Sequence, residues 1–114
     1  MKHYEEVPKE EVFEGVYIRR LVDKSAGDVK NYTMRLFEML PGSVIPEHEH
    51  PREHEIFILE GEGIITIGDK EYHVKKGYVL FIPENVKHGY KNTGEDTMKF
   101  ICVIPCKGAK DRCA

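Results

Sequence analysis

The heptapeptide HEHPREH, residues 48–54, holds three of the six histidines of this 114-residue chain. It lies between a proline-glycine turn and an apolar run. Alternate side chains of a β-strand share a face, so His48 and His50 are expected to point the same way, about 7 Å apart along the backbone. Pro51 cannot donate to a sheet ladder, so the chain is expected to bend there and return His54 toward the same point.

Three histidines at these offsets predict a metal site, because imidazole nitrogens bind transition metals at about 2.0–2.1 Å. A lone His-x-His is more often part of a solvated loop, and the third histidine is what favours the metal. His88, which follows the turn formed by residues 83–85, is the candidate for a fourth ligand.

The rest of the chain alternates apolar and polar residues with period two, which is typical of short strands bounded by turns. The predicted strands cover residues 17–22, 32–37, 55–59, 63–67, 70–74, 78–82, 88–92 and 98–104. Gly68-Asp69 is predicted to be a tight hairpin turn, and only the segment from Pro8 to Glu14 is predicted to start a short helix. About eight or nine evenly spaced strands indicate a β-sandwich or barrel. We expect one domain over residues 1–114, with a core of about 16–105 and a loose tail over 106–114.

Composition narrows the classes of partner. With a net charge of -3 and no long basic cluster, the chain is not expected to bind nucleic acid. No apolar run is long enough to span a membrane, and the polar, acidic start does not resemble a secretory signal, so a cytoplasmic protein is expected. Cys102, Cys106 and Cys113 are interpreted as ordinary thiols, with a local bridge between the last two as the alternative.

Two longer patterns surround the histidines. Residues 42–61 read Gly-x5-His-x-His-x3-His-x6-Gly, and residues 77–92 read Gly-x5-Pro-x-Asn-x2-His-x3-Asn. In this order, and separated by residues 62–76, they resemble the two motifs of the cupin superfamily. The resemblance implies an all-β fold, a jelly-roll barrel (double-stranded β-helix) of six to eight strands whose motif histidines bind a metal in the mouth.

The chain departs from the cupin pattern at two positions. His54 stands where the family usually has a glutamate ligand, which implies a site of four histidines: His48, His50, His54 and His88. The position of the acidic ligand varies in the family, so Glu55 is the alternative to His54, although parity favours His54. Asn85 stands at the usual glycine of the second motif, and asparagine also tolerates a left-handed backbone in a turn.

The predicted cofactor is one divalent transition-metal ion: iron, manganese, nickel, cobalt, copper or zinc. Four neutral imidazoles leave the ion its full charge, and an octahedral ion keeps two positions for water, oxygen or substrate. Tyr90, on the same face as His88, and Cys102 are the candidate catalytic residues. Arg35 is interpreted as an edge or interface residue or, alternatively, as an anion-binding group inside the barrel.

These features predict a small metal-dependent enzyme of oxygenase or isomerase type, leaning toward a dioxygenase, that acts on a small organic molecule in the barrel. The alternatives are a non-catalytic module that binds a metal or small ligand, and a purely structural metal. Small cupins commonly pair, so the resemblance implies a homodimer in which residues 12–17 form a strand that crosses to the partner. His3 and His73 are expected to be exposed.

Overall fold

The computed structural model describes residues 1–106, which form two antiparallel β-sheets around one shared core. Short 3-10 turns cover Tyr4–Glu6 and Lys24–Ala26. The strands are β1 (Glu10–Phe13), β2 (Val16–Val22), β3 (Tyr32–Met39), β4 (Val44–His48), β5 (His54–Glu60), β6 (Glu62–Ile67), β7 (Lys70–Lys75), β8 (Val79–Ile82), β9 (His88–Lys91) and β10 (Met98–Pro105).

The order of the strands brings distant parts of the chain together. One sheet has six strands in the order β1-β2-β3-β10-β5-β8, and the other has four in the order β4-β9-β6-β7. Because β4 and β5 belong to different sheets, the HEHPREH stretch, which ends β4 with His48 and begins β5 with His54, passes from one sheet to the other. The all-β prediction is confirmed.

The core lies between the inner faces of the two sheets. Along β10 every second residue is buried, with Phe100 wholly enclosed and Cys102 only 1% exposed. Phe100 stacks on Phe37 of the same sheet at a centroid distance of 5.0 Å and on Tyr90 of the opposite sheet at 4.9 Å. This aromatic stack joins the sheets close to the histidines, since Tyr90 lies two residues after His88.

The prediction of a short helix between Pro8 and Glu14 is wrong, because residues 10–13 form β1 and pair with β2. Gly15, with φ of 75°, makes the turn between them. Backbone pairing and the packing of Val12 against the core outweigh a local helix signal. Residues 12–17 therefore contain a hairpin turn and are not one extended strand. Pairing of the protein with a second copy stays a prediction.

Two predictions concern the C-terminal region. Cys102 is a free, buried thiol, as expected. Cys106 is disulfide-bonded and so is not the ordinary thiol that was expected. The predicted bridge partner Cys113 and residues 107–114 of the predicted tail 106–114 lie outside the described residues. Within residues 1–106, no helix is long and apolar enough to cross a membrane.

Candidate metal centre

Three parts of the fold deliver the histidines to one point. His48 ends β4, and its partner across the neighbouring strand is His88, the first residue of β9. His54 begins β5 in the opposite sheet and is buried. The expectation that His48 and His50 lie in one strand is wrong for His50, because β4 ends at His48.

His50 lies outside the strands, and a backbone hydrogen bond fixes its position. The backbone N–H of Asn85 donates to the carbonyl oxygen of His50 at 2.7 Å. Asn85 has a φ of 62°, the only positive φ of a non-glycine residue in the described chain, so asparagine here adopts the left-handed conformation expected of it. The turn before β9 thus fixes the segment that follows β4.

The imidazole rings are within contact distance of one another. The ring centroids of His48 and His88 are 4.5 Å apart, and those of His48 and His50 are 4.7 Å apart. The nitrogens that these three rings can offer all lie within 4.8 Å of one another. Among the described residues, these three histidines form a cluster that could hold a metal ion.

His54 lies beside these three rings and does not belong to the group of nitrogens defined above. Its ring centroid is 4.9 Å from that of His88 and 5.3 Å from that of His50. Glu55 is exposed and points to the outer face of β5, because neighbouring residues of a strand face opposite ways. His54 therefore faces the cluster and Glu55 does not.

Hydrogen bonds prepare the rings to act as ligands. The Nδ1 atoms of His48 and His88 lie 2.7 Å and 2.9 Å from the carbonyl oxygens of Pro46 and Val86. A carbonyl oxygen only accepts, so each Nδ1 donates, and in the neutral ring Nε2 keeps its lone pair for a ligand. The Nε2 atoms of His54 and His88 are buried without a hydrogen-bond partner in the described structure.

Burial keeps His50 and His88 of this cluster, and the neighbouring His54, uncharged. Desolvation, with nearby positive charge, lowers the pKa of His50 to about 4 and that of His54 to about 2. Desolvation also lowers the pKa of His88, although the hydrogen bond to Val86 opposes the shift. These three imidazoles are neutral at pH 7, which is the form that binds a metal.

The two candidate catalytic residues adjoin the cluster. The Tyr90 ring meets that of His88 edge-on at 5.9 Å, and burial raises the pKa of its phenol. Cys102 Sγ lies 3.4 Å from His54 Nδ1 and accepts a hydrogen bond from Arg35 at 3.2 Å. Burial raises the pKa of the Cys102 thiol, an effect that the neighbouring Arg35 partly offsets. Neither group ionises readily at pH 7.

A cavity of about 510 Å³ opens onto His48, His50 and His54. Its size is within the range of sites for small organic molecules. Apolar side chains supply much of the wall: Val12, Phe13, Ile18, Phe37, Ile45 and Pro46. The predicted exposure of the two remaining histidines is confirmed, since the side chains of His3 and His73 are 60% and 57% exposed.

The donor set fits a transition-metal ion. Two nitrogens that bind one ion at about 2.1 Å are at most about 4.2 Å apart, so small side-chain movements would bring His48, His50 and His88 into coordination. Nitrogen ligands of this kind suit iron, nickel, copper, zinc, cobalt and manganese. The buried Nε2 of His54, which has no hydrogen-bond partner among the described residues, also favours a metal ligand role, because an unpaired buried polar atom is unfavourable.

Comparison with known proteins identifies a family. Residues 35–104 match the family model described as Cupin domain. An oxalate-binding protein of Thermotoga maritima is 33% identical over 90 residues, which cover 78% of this chain and 74% of that protein.

Solved structures agree with the sequence matches. The polyketide cyclase RemF of Streptomyces resistomycificus superposes with a TM-score of 0.86 at 28% identity, over 98% of this chain and 88% of that one. A predicted oxalate decarboxylase of Thermotoga maritima superposes with a TM-score of 0.81 at 26% identity, over 90% of this chain and 96% of that one.

Sequence reasoning missed one wall of the cavity. Val12 and Phe13 come from β1, whose residues were interpreted as part of a helix or as a strand for a partner molecule. Residues 10–14, Glu-Glu-Val-Phe-Glu, do not alternate apolar and polar side chains, so the sequence offered no period-two signal for this strand. Arg35, left open between an edge role and an anion-binding role, lines the cavity beside the histidines.

Proposed function

The chain belongs to the cupin domain family, and from this premise we propose that it is a small metal-dependent enzyme of oxygenase or isomerase type. His48, His50 and His88 would hold one divalent transition-metal ion, with His54 as the fourth ligand. The observation that carries the proposal is the convergence of three imidazoles, with nitrogens within 4.8 Å of one another, at the wall of a largely apolar cavity.

The bound ion would supply Lewis acidity and coordination positions for substrate or oxygen. The residues of this chain do the rest. Val86 and Pro46 orient two imidazoles through their carbonyl oxygens. The apolar wall excludes water around a substrate, which strengthens every electrostatic interaction there. Tyr90 and Cys102, with raised pKa values, serve as hydrogen-bonding groups and not as bases.

Metal analysis of natively purified protein tests the site. We expect about one transition-metal ion per chain in the unmodified protein, and a large loss in His88→Ala. His73→Ala is the matched control, because His73 is exposed on another strand and should leave the metal content unchanged. Equal metal content in both variants would contradict the site.

Turnover tests the enzymatic part. Protein loaded with iron or manganese should consume oxygen in the presence of small aromatic compounds or diketones, and zinc-loaded protein should isomerise such compounds without oxygen. His88→Ala should remove both activities. Absence of turnover with every metal and substrate would reject the enzyme.

The second candidate is a non-catalytic binding module. Two observations favour it: neither Tyr90 nor Cys102 is poised to exchange a proton at pH 7, and a relative 33% identical is named an oxalate-binding protein. Tight binding of a metal and a small ligand, with no product after long incubation, would identify this function.

A further inference from the structure

Arg35 brings a positive charge to the wall of the cavity. It lies on β3 and lines the cavity together with His50 and His54. Its guanidinium donates to Cys102 Sγ at 3.2 Å and lies 5.1 Å from the centre of the Phe37 ring. Its Nε is buried and has no hydrogen-bond partner. The residue is therefore held in place, and its buried Nε–H donor is unpaired among residues 1–106.

No acidic side chain balances this charge. Among residues 1–106, no carboxylate oxygen lies within 4.0 Å of the Arg35 guanidinium, although several other cations form ion pairs. The one acid among the cavity-lining residues, Glu47, is exposed and forms no ion pair with Arg35. Arginine stays protonated under all ordinary conditions, so the charge cannot be relieved by loss of a proton.

The neighbouring strand adds a second positive charge beside Arg35. Arg20 is the residue of β2 directly opposite Arg35, and like charges directly opposite each other in a sheet are unfavourable. Arg20 is compensated by Glu10, whose carboxylate lies 2.8 Å from its guanidinium. Arg35 has no such partner, so the excess positive charge of this wall is at Arg35.

The remaining wall is apolar and much larger than one anionic group requires. Val12 and Phe13 of β1, Ile18 of β2 and Ile45 of β4 surround a volume of about 510 Å³. A dicarboxylate of two carbons would contact Arg35 and leave these apolar residues uncovered. An apolar body attached to the anion would bury them, and removal of this apolar surface from water would stabilise the complex.

We propose that the cavity binds an organic carboxylate with an apolar body, its carboxylate held by Arg35 beside the histidines and its body against the β1–β2 hairpin. The proposal rests on the proposed function in that it assigns the substrate or ligand class of the same cavity. It goes further by naming Arg35 as the residue that selects an anion.

The test compares three probes by calorimetry: 3-phenylpropionate, its uncharged amide, and oxalate. On the metal-loaded protein we expect the acid to bind about 10-fold or more tightly than the amide, since a hydrogen bond to a charged group is stronger than one between neutral groups. The acid should also bind more tightly than oxalate. An amide that binds as well as the acid, or oxalate as the tightest probe, would overturn the proposal.

Variants assign the selectivity to Arg35. Arg35→Met should reduce the preference for acid over amide to about 2-fold or less, whereas Arg20→Met, the paired arginine of the same wall, should keep it. Arg35→Lys should keep the preference with weaker binding, which a purely structural arginine would not predict. A preference that survives in folded Arg35→Met would assign the carboxylate to the metal alone and reject the role of Arg35. If that variant does not fold, a folded Arg35→Lys without the preference would reject it equally.

The same measurements on metal-free protein separate the two proposals. Metal content is determined on each sample before calorimetry. If the protein does not take up metal but still prefers the acid through Arg35, the metal-dependent function is refuted and the proposed ligand class stands. If the protein binds metal but shows no preference for the acid, the proposed ligand class is refuted and the metal site stands.

Discussion

At the scale of single residues, His54 would determine the charge and geometry of the proposed metal centre. Its ring adjoins those of His50 and His88, and its buried Nε2 lacks a hydrogen-bond partner among residues 1–106. Glu55 in that role would have added a negative charge and a harder oxygen ligand. Because Glu55 points outward on β5, the cluster has only nitrogen donors, and a bound ion would retain its full charge.

Exchanging these two neighbours for alanine tests the assignment. We expect His54→Ala to weaken metal binding by at least about 10-fold, since even groups that only orient a ligand have effects of that size. Glu55→Ala, one residue away and equally part of β5, should bind metal as the unmodified protein does. Titration with Co²⁺, followed by its absorption spectrum, measures both. Unchanged affinity in His54→Ala would leave a site of three histidines.

The depressed pKa values of the histidines predict that acid destabilises the metal-free protein. An unfolded histidine takes up a proton below about pH 6.5, whereas folded His54, with a pKa of about 2, stays neutral. The unfolded state then binds more protons, so stability falls as the pH falls from about 6.5 toward the folded pKa. For His54 the loss is about 2 kcal/mol at pH 5.

Thermal unfolding of metal-free protein at pH 7.5 and pH 5.0 measures this effect. His54→Gln should show a smaller decrease in Tm between the two pH values than the unmodified protein, with the remainder due to His50 and His88. His73→Gln should behave as the unmodified protein does. A decrease of the same size in His54→Gln would show that His54 is not the source.

At the scale of elements, the strands β2, β5 and β10 show in their burial the alternation from which they were predicted. In β10 every second residue packs in the core, so the pattern is visible in the sequence. The two strands that were missed lie at sheet edges: β4 contains Pro46 and buries only Ile45, and β1 is mostly exposed. Their conformation comes from pairing with β9 and β2, which no local pattern encodes.

The difference between local patterns and long-range pairing also explains why the histidine cluster could be predicted from the sequence and the cavity could not. The spacing within residues 48–54 is local, and it predicted converging imidazoles, although His50 reaches the cluster through a turn and not through a strand. The apolar wall depends on the β1–β2 hairpin, which ends at Val22, well before His48 in the chain, and meets the histidines only in the fold.

The turn before β9 is the element that links the two motifs, and its backbone conformation is testable. Asn85→Gly should retain stability and metal affinity, because glycine adopts a φ of 62° without strain. Asn85→Val should lose about 1–2 kcal/mol of stability and weaken metal binding, because a branched side chain strains this conformation and disturbs the hydrogen bond to His50. Urea unfolding and Co²⁺ titration measure the two effects. Equal losses in both variants would instead assign the role to the asparagine side chain.

At the scale of the whole molecule, the candidate ligands come from both sheets. His48 and His88 lie on neighbouring strands of the four-stranded sheet, and His54 lies on the six-stranded sheet. An ion held by all of them would join the sheets at the mouth of the cavity, as the Phe37–Phe100–Tyr90 stack joins them within the core. Metal binding and folding stability are therefore expected to be coupled.

Removal of the metal by a chelator should lower Tm by about 10 °C when the free metal had been at 100 times its Kd, since binding at that excess stabilises by about 2.7 kcal/mol. His88→Ala should show little response to the chelator, because this variant would bind little metal before the chelator is added.

The affinity for 3-phenylpropionate shows whether the ion takes part in ligand binding or only stabilises the fold. If chelation lowers both Tm and the affinity for this probe, the ion takes part in ligand binding; if it lowers Tm alone, the ion is structural and the enzyme proposal fails. We expect both to fall, since the cavity and the histidines share one wall.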